Sequence, residues 1–341
     1  MNVHKPIILI LTDGRPGHET QSIGISKLLN REKSYEIQFL KIQQPSKLVK
    51  ELFKKVYSWL PKSWMLKHFL LAEQIQKLSA LSNIKFIVSA GGDTLLPNAL
   101  LKYVLQYQNK KVKNIIATSL RGMPSSAFDM VFTIDESKKN ISPYIYYPIA
   151  PNKLISFDLD LEKKTVRKQL GIEQSAICWT ILIGADTDDV KIGNVQDWIK
   201  LIYNLSSKYS QDIFFITTSR RTSINFEKKL KDTLIQNNIH LILVGDGDQT
   251  PIQNLIYAAD YILSSPDSTS MVSEGLMAEK TLIIPILESS YLNKKFSHYF
   301  FTLSDYLYLL SAEEILNNSL RRKIKNSHIE NLFELFKQQG V

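Results

Sequence analysis

Short apolar runs recur along this chain, each broken off by glycine, aspartate, serine or threonine, and they alternate with stretches whose apolar residues fall at helical spacing. In the first half the runs are 7–12, 35–42, 84–90, 115–119 and 128–134; in the second they are 176–183, 212–217, 240–244, 261–263 and 281–285. Nearly continuous apolar character marks strands buried on both faces of a parallel sheet. Strand and helix alternation on both sides of residue 150 predicts two doubly wound units. Pro148 and Pro151 bracket the exit from the first, giving domains at 1–150 and 151–315, with closing helices at 316–341 that pack back on the first domain. A chain of 341 residues also exceeds what one core usually supports.

The polar groups sit where the apolar runs stop. In open α/β sheets ligands bind at the carboxyl ends of the strands, so these exits are the candidate sites. After the first run come Asp13-Gly14-Arg15-Pro16-Gly17-His18 and then a helix. His18 has the near-neutral pKa of a base for an acceptor hydroxyl; alternatively Asp13 is the base and His18 orients the substrate, or Arg15 and His18 only tie the loop down. Gly91-Gly92-Asp93-Thr94 ends another run and should face the same ligand. It resembles the GGDGT turn of lipid and NAD kinases but lacks the glycine between aspartate and threonine, which argues against phosphoryl transfer.

In the second half, Tyr261–Leu263 runs into Ser264-Ser265-Pro266-Asp267-Ser268-Thr269-Ser270 and a helix carrying Glu274. Asp267, Ser268, Thr269 and Ser270 are all good caps, and the unpartnered amides of a helix N-terminus make an anion site for a phosphate or diphosphate. Glu274, four residues past Ser270, lies on the same face one turn deeper, where it could accept from a ribose diol. An ordinary capped helix has the same pattern. Gly184-Ala185-Asp186 ends another run, and Ser219-Arg220-Arg221 precedes a further helix. Two arginines there are placed to neutralise a departing diphosphate, unless they are only solvated surface charges.

Composition narrows the classes. A formal net charge of +9 calls for an acidic partner, yet no nucleic-acid signature or long basic block is present. No apolar stretch is long enough to span a bilayer or make a secretory signal, which predicts a cytoplasmic protein. The stretch 50–69 interleaves lysine with Trp, Tyr, Phe and Leu, as an interfacial helix pair resting on an anionic membrane would, or as a helical hairpin whose aromatics enter the core. The single cysteine, Cys178, lies inside an apolar run and reads as a buried hydrophobe, and the six histidines show no metal-ligand spacing.

Thr12-Asp13-Gly14-Arg15-Pro16-Gly17-His18-Glu19-Thr20-Gln21, Thr217-Thr218-Ser219-Arg220-Arg221-Thr222 and Asp267-Ser268-Thr269-Ser270-Met271-Val272-Ser273-Glu274 together resemble the mitochondrial fission (elongated-mitochondria) family, and Phe128-Asp129 fits as well. Bacterial members look like GT-B glycosyltransferases of the lipooligosaccharide outer-core type; the plant namesake is tied to mitochondrial division. The resemblance implies a GT-B-like fold, with two Rossmann-like doubly wound domains facing a central cleft. It further implies metal-independent transfer from a nucleotide sugar, a UDP-sugar or else a CMP-sugar, to a glycan or glycolipid acceptor, with no cofactor and no nucleic acid. Gly184, Ser219, Arg220, Arg221, Asp267, Ser268, Thr269, Ser270 and Glu274 would then hold the nucleotide. Gly14, Arg15, Gly17, Gly92 and Asp93 would line the acceptor side, Asp13 or His18 would be the base, and the basic aromatic segment would dock at the inner membrane. A non-hydrolysing nucleotide-sugar 2-epimerase shares the architecture, and a non-catalytic scaffold is the other alternative.

Overall fold

The computed structural model describes residues 5–340 apart from 82, 109, 249 and 321–326. The chain divides into two units, one running to Ile155 and taking in the terminal segment from Ile329, the other Ser156–His328.

The first unit is built on strands β1 (Ile7–Thr12), β2 (Glu36–Lys41), β3 (Ile84–Ala90), β4 (Lys113–Ala117), β5 (Met130–Thr133) and β6 (Tyr144–Tyr146). They form one parallel sheet in the order β2-β1-β3-β4-β5-β6. β1 and β3 are almost wholly buried, as their apolar composition requires of central strands. β6 lies where the sequence suggested only an exit; three residues are too few for periodicity to show. Helices α1 (Pro16–Leu29), α2 (Lys47–Lys55), α3 (Lys62–Leu66), α4 (Ala72–Ala80) and α5 (Leu95–Tyr107) complete the unit. Pro16 opens α1 at the position where a missing N–H costs nothing. Phe53, Met65, Leu66, Phe69 and Leu70 join the core with Leu95, Leu96 and Leu100, so half of the basic aromatic segment is interior.

The second unit repeats the plan with β7 (Cys178–Ile183), β8 (Val190–Ile192), β9 (Ile213–Thr218), β10 (Ile239–Ile242), β11 (Tyr261–Ser264), β12 (Thr281–Ile286), β13 (Ser290–Leu292) and β14 (Tyr308–Ser311). Its parallel sheet runs β10-β9-β7-β11-β12-β14, and β8 with β13 makes a small antiparallel ribbon. The helices are α6 (Leu159–Gln169), α7 (Val195–Lys208), α8 (Ile224–Thr233), α9 (Ile252–Ala258), α10 (Thr269–Met277), α11 (Lys294–Thr302) and α12 (Ala312–Asn317). The final helix, α13 (His328–Gln338), packs on the first unit: the Arg31 guanidinium makes two bonds to Glu330, at 2.7 and 3.0 Å, and stacks 4.5 Å over Phe333. The expectation of closing helices over 316–341 falls partly on 321–326, outside the described residues.

At the amino edge of the second sheet a cluster of charges stitches strands together. Asp260 accepts from Lys163 at 2.5 Å, from Arg167 at 2.7 Å and from the Cys178 amide at 2.9 Å. Burial pushes the Cys178 thiol up to about 12, as expected of an inert interior cysteine. Burial, with repulsion from Lys163, pulls the Lys280 ammonium down to about 7, and its hydrogen bond to the Tyr257 carbonyl at 2.9 Å does not offset that. A folded-state pKa below the unfolded one means the penalty is fully present below pH 7 and is relieved as pH rises toward 10.5. Lys280→Met is therefore expected to stabilise the protein by about 1–4 kcal/mol at pH 6 and to flatten the rise of stability between pH 7 and pH 10, read from urea unfolding. Equal unfolding midpoints for variant and wild type at pH 6 would show that the ammonium carries no such penalty.

Candidate functional site

Each sheet has a switch point where successive connections leave in opposite directions. In the first it lies between β1 and β3; in the second, between β7 and β11. Such points open a crevice at the carboxyl edge, and each one here is lined by the polar strand exits.

In the first unit the β1 exit folds onto the β3 exit. Asp13 is enclosed, with its side chain 0% exposed. One oxygen accepts from the Arg15 amide at 3.1 Å and the other lies 2.7 Å from His18 Nδ1. A carboxylate can only accept, so Nδ1 carries the proton and Nε2 is left as the acceptor. The ring rests on Gly91: a Cβ there would stand 2.2 Å from Nδ1, and φ is +86°. Gly92 is covered in the same way by the Arg121 guanidinium, 2.3 Å from where a Cβ would sit. Asp93 accepts from Lys50 at 2.5 Å and from Arg15 at 3.1 Å. Burial raises its pKa, but the Lys50 hydrogen bond and the charges of Lys50, Arg15 and Arg121 outweigh that and hold the carboxyl below its ordinary value. Gly14 is exposed in the loop at φ +81°, and Gly17 is exposed in the first turn of α1. The product is a polar rim with the His18 imidazole over Gly91 and the cations Arg15, Lys50 and Arg121 gathered about the neighbouring Asp93.

The second unit gathers its groups around Asp267, whose side chain is also 0% exposed. It accepts from Ser265 Oγ at 2.5 Å, the Ala185 amide at 3.2 Å and Arg221 at 2.6 Å. A Cβ on Gly184 would come within 2.1 Å of this carboxylate, so only glycine lets the β7 exit pass so close. Thr222 Oγ1 donates to the Gly184 carbonyl at 2.7 Å, and Ser219 Oγ accepts from the Arg221 amide at 3.2 Å; together they shape the loop that presents Arg221. The Arg221 side chain remains 52% exposed. Ser268 caps α10 by accepting from the Met271 amide at 3.4 Å, and Thr269 and Ser270 lie exposed in its first turn, whose leading amides have no acceptor inside the helix. Beside Gly184, Arg221 and Thr222 opens a cavity of about 360 Å³, within the range of small-ligand sites.

The structure thus brings together Gly184, Ser219, Arg221, Asp267 and the start of α10 in one unit, and Asp13, Arg15, His18, Gly92 and Asp93 in the other. Of the other expected members, Arg220 is exposed and forms no ion pair with a described residue, and Glu274 is buried one turn into α10. Asp267 also takes a different part. A carboxylate repels a phosphate, and this one holds Arg221 and the Gly184 turn in place. Sequence reasoning missed Lys50, set in a lysine-rich helix where nothing singles it out. It missed Glu227 too, which accepts from Thr218 at 2.5 Å and from the Gly245 amide at 3.2 Å and so ties the turn after β10 to α8. Both contacts join residues distant in sequence. Among the described residues no group of three or more His, Cys, Asp or Glu side chains is arranged to hold a metal ion.

The chain belongs to the Mitochondrial fission ELM1 family, which matches residues 16–327. The UDP-GlcNAc 2-epimerase of Methanocaldococcus jannaschii has a similar structure, with a TM-score of 0.53 at 14% identity over 97% of this chain and 99% of that one. A Listeria monocytogenes protein described as a UDP-N-acetylglucosamine 2-epimerase gives 0.50 at 11% identity over 98% and 88%. The Escherichia coli ADP-heptose LPS heptosyltransferase II gives 0.46 at 10% over 97% and 98%. No curated protein matches at the sequence level. At these identities the likeness establishes the fold, GT-B-like with two Rossmann-like units.

Proposed function

From that family and fold, we propose that the protein is a glycosyltransferase that moves a sugar from a nucleotide-sugar donor to a glycan or glycolipid acceptor of the lipopolysaccharide kind. One observation carries this reading: Arg221 is fixed by Asp267 yet half open, next to the N-terminus of α10 and at the switch point of its sheet. When the bond from sugar to diphosphate breaks, negative charge grows on the leaving oxygens. A guanidinium with donors to spare and the first amides of a nine-residue helix are preorganised to receive that charge without a metal ion. Glu274 would bind the ribose, the first unit would supply the acceptor side, and His18 would take the hydroxyl proton. A UDP-sugar is the first donor to try, with a CMP-sugar next.

Calorimetry against UDP, CMP, GDP and ADP tests this. We expect one nucleotide to bind and Arg221→Ala to weaken it about tenfold to a hundredfold, the worth of a charge-assisted hydrogen bond. No binding by the folded protein would move the reading to a scaffold. Conversion of a UDP-sugar to its 2-epimer without acceptor would move it to an epimerase.

A further inference from the structure

The exposed face of α2 sets large apolar side chains between its charged ones, Lys47, Glu51 and Lys55. Leu48 and Leu52 stand four residues apart, 83% and 55% exposed, while Phe53 on the other side is buried. The chain stays coiled past the end of the helix: the Trp59 and Leu60 amides both bond to the Val56 carbonyl, at 2.9 and 3.1 Å. That continuation brings Trp59, 88% exposed, onto the same stripe, eleven positions after Leu48. Trp59 also lines a cavity of about 600 Å³ with Lys62, Tyr103 and Tyr107. The Lys62 ammonium sits 4.8 Å over the Tyr57 ring and 5.6 Å over Tyr103 and donates to the Leu60 carbonyl at 3.4 Å, a cation that forms no ion pair with a carboxylate among the described residues. Beside the stripe Lys47 and Lys55 are exposed and among the described residues neither forms an ion pair, while the one carboxylate of α2, Glu51, is held by Lys54 at 2.6 Å.

We infer that this face is a docking surface for an anionic phospholipid bilayer. The occupant follows from the chemistry. A protein partner that buried Leu48, Leu52 and Trp59 would have to match the ammonium groups of Lys47 and Lys55 beside them, whereas a bilayer offers an apolar interior for the stripe, an interfacial layer that tryptophan and tyrosine prefer, and headgroup phosphates for the lysines. Lys62, at the cavity that Trp59 opens, is placed to meet one such phosphate. The stripe rises only about 16 Å along its axis, so it rests on the surface rather than crossing it. In keeping with that, no helix among the described residues is long and apolar enough to span a membrane. The surface uses no residue of either candidate site, so it stands or falls separately from sugar transfer.

Flotation with vesicles tests it. The full chain should bind vesicles of phosphatidylcholine mixed with phosphatidylglycerol, bind pure phosphatidylcholine at least about tenfold more weakly, and lose binding to the mixed vesicles as salt is raised. Leu52→Ser with Trp59→Ser should weaken binding at least about tenfold while the thermal midpoint holds, and Lys47→Glu with Lys55→Glu should do the same through charge. If the folded wild type stays unbound, if the pairs of substitutions leave binding unchanged, or if they instead abolish a dimer seen by light scattering, the surface is not a lipid-docking face.

Discussion

Gly184→Ala is expected to lower the thermal midpoint of the protein by about 3–10 °C and to abolish the nucleotide binding proposed for this site. The backbone at Gly184 needs no special φ, so the effect is purely one of space: the new methyl carbon would stand 2.1 Å from one Asp267 oxygen and 2.3 Å from the other. That carboxylate cannot yield. It is enclosed and bonded to Ser265, Ala185 and Arg221, and turning it aside would strand a buried charge. The strand exit must move instead, at about 1–3 kcal/mol, and Arg221 moves with its anchor. Gly275→Ala is the control. Its methyl would meet only the side-chain tips of Leu282 and Ile262, at 3.2 and 3.4 Å, and alanine gains about 1 kcal/mol in a helix, so the net change should be close to zero. Scanning calorimetry and nucleotide titration of both variants decide the matter; a normal nucleotide affinity in Gly184→Ala would show that the Asp267 and Arg221 arrangement plays no part in binding.

Why some features could be read from the sequence and others not is clear from particular residues. Strands such as β1, β3 and β7 announce themselves because they are buried on both faces, so nearly every position is apolar and the run stops abruptly at a loop. β8, β13 and β14 are short and half exposed, and nothing in their composition separates them from loop. The exits were visible for the same reason as the strands, since glycine, aspartate and arginine contrast with what precedes them. Partners were not. That Lys50 reaches Asp93 and that Glu227 holds the Gly245 turn depends on which helices the crossovers lay beside which strands, and single-chain periodicity does not carry it. In the basic aromatic stretch the structure puts Phe53 and Phe69 in the core and leaves Leu52 and Trp59 on the surface, a division that interleaved lysines and aromatics do not reveal.

On the proposed transferase reading, Asp13→Asn is expected to lower turnover by about a hundredfold to ten-thousandfold with nucleotide affinity unchanged, because it would disarm the proposed base without touching the proposed donor site. Asp13 is enclosed and both its oxygens are engaged, so it has no way to reach an acceptor; His18, with its side chain 30% exposed, does. The carboxylate fixes the proton on Nδ1 and leaves Nε2 free to accept. An asparagine that turned its amide nitrogen toward the ring would reverse this, putting the proton on Nε2 and closing the only route for the acceptor proton. His18→Asn should cost as much, and the double variant little more than either single one, since the two residues act as a unit. Gly91→Ala supplies the positional test: with Asp13 and His18 both intact, a methyl 2.2 Å from Nδ1 displaces the ring and should lower turnover at similar affinity. Were His18→Asn to keep wild-type turnover while Asp13→Asn lost it, the imidazole would be a brace for the loop, and the proton would have to leave by way of the carboxylate after a local opening of the β1 exit.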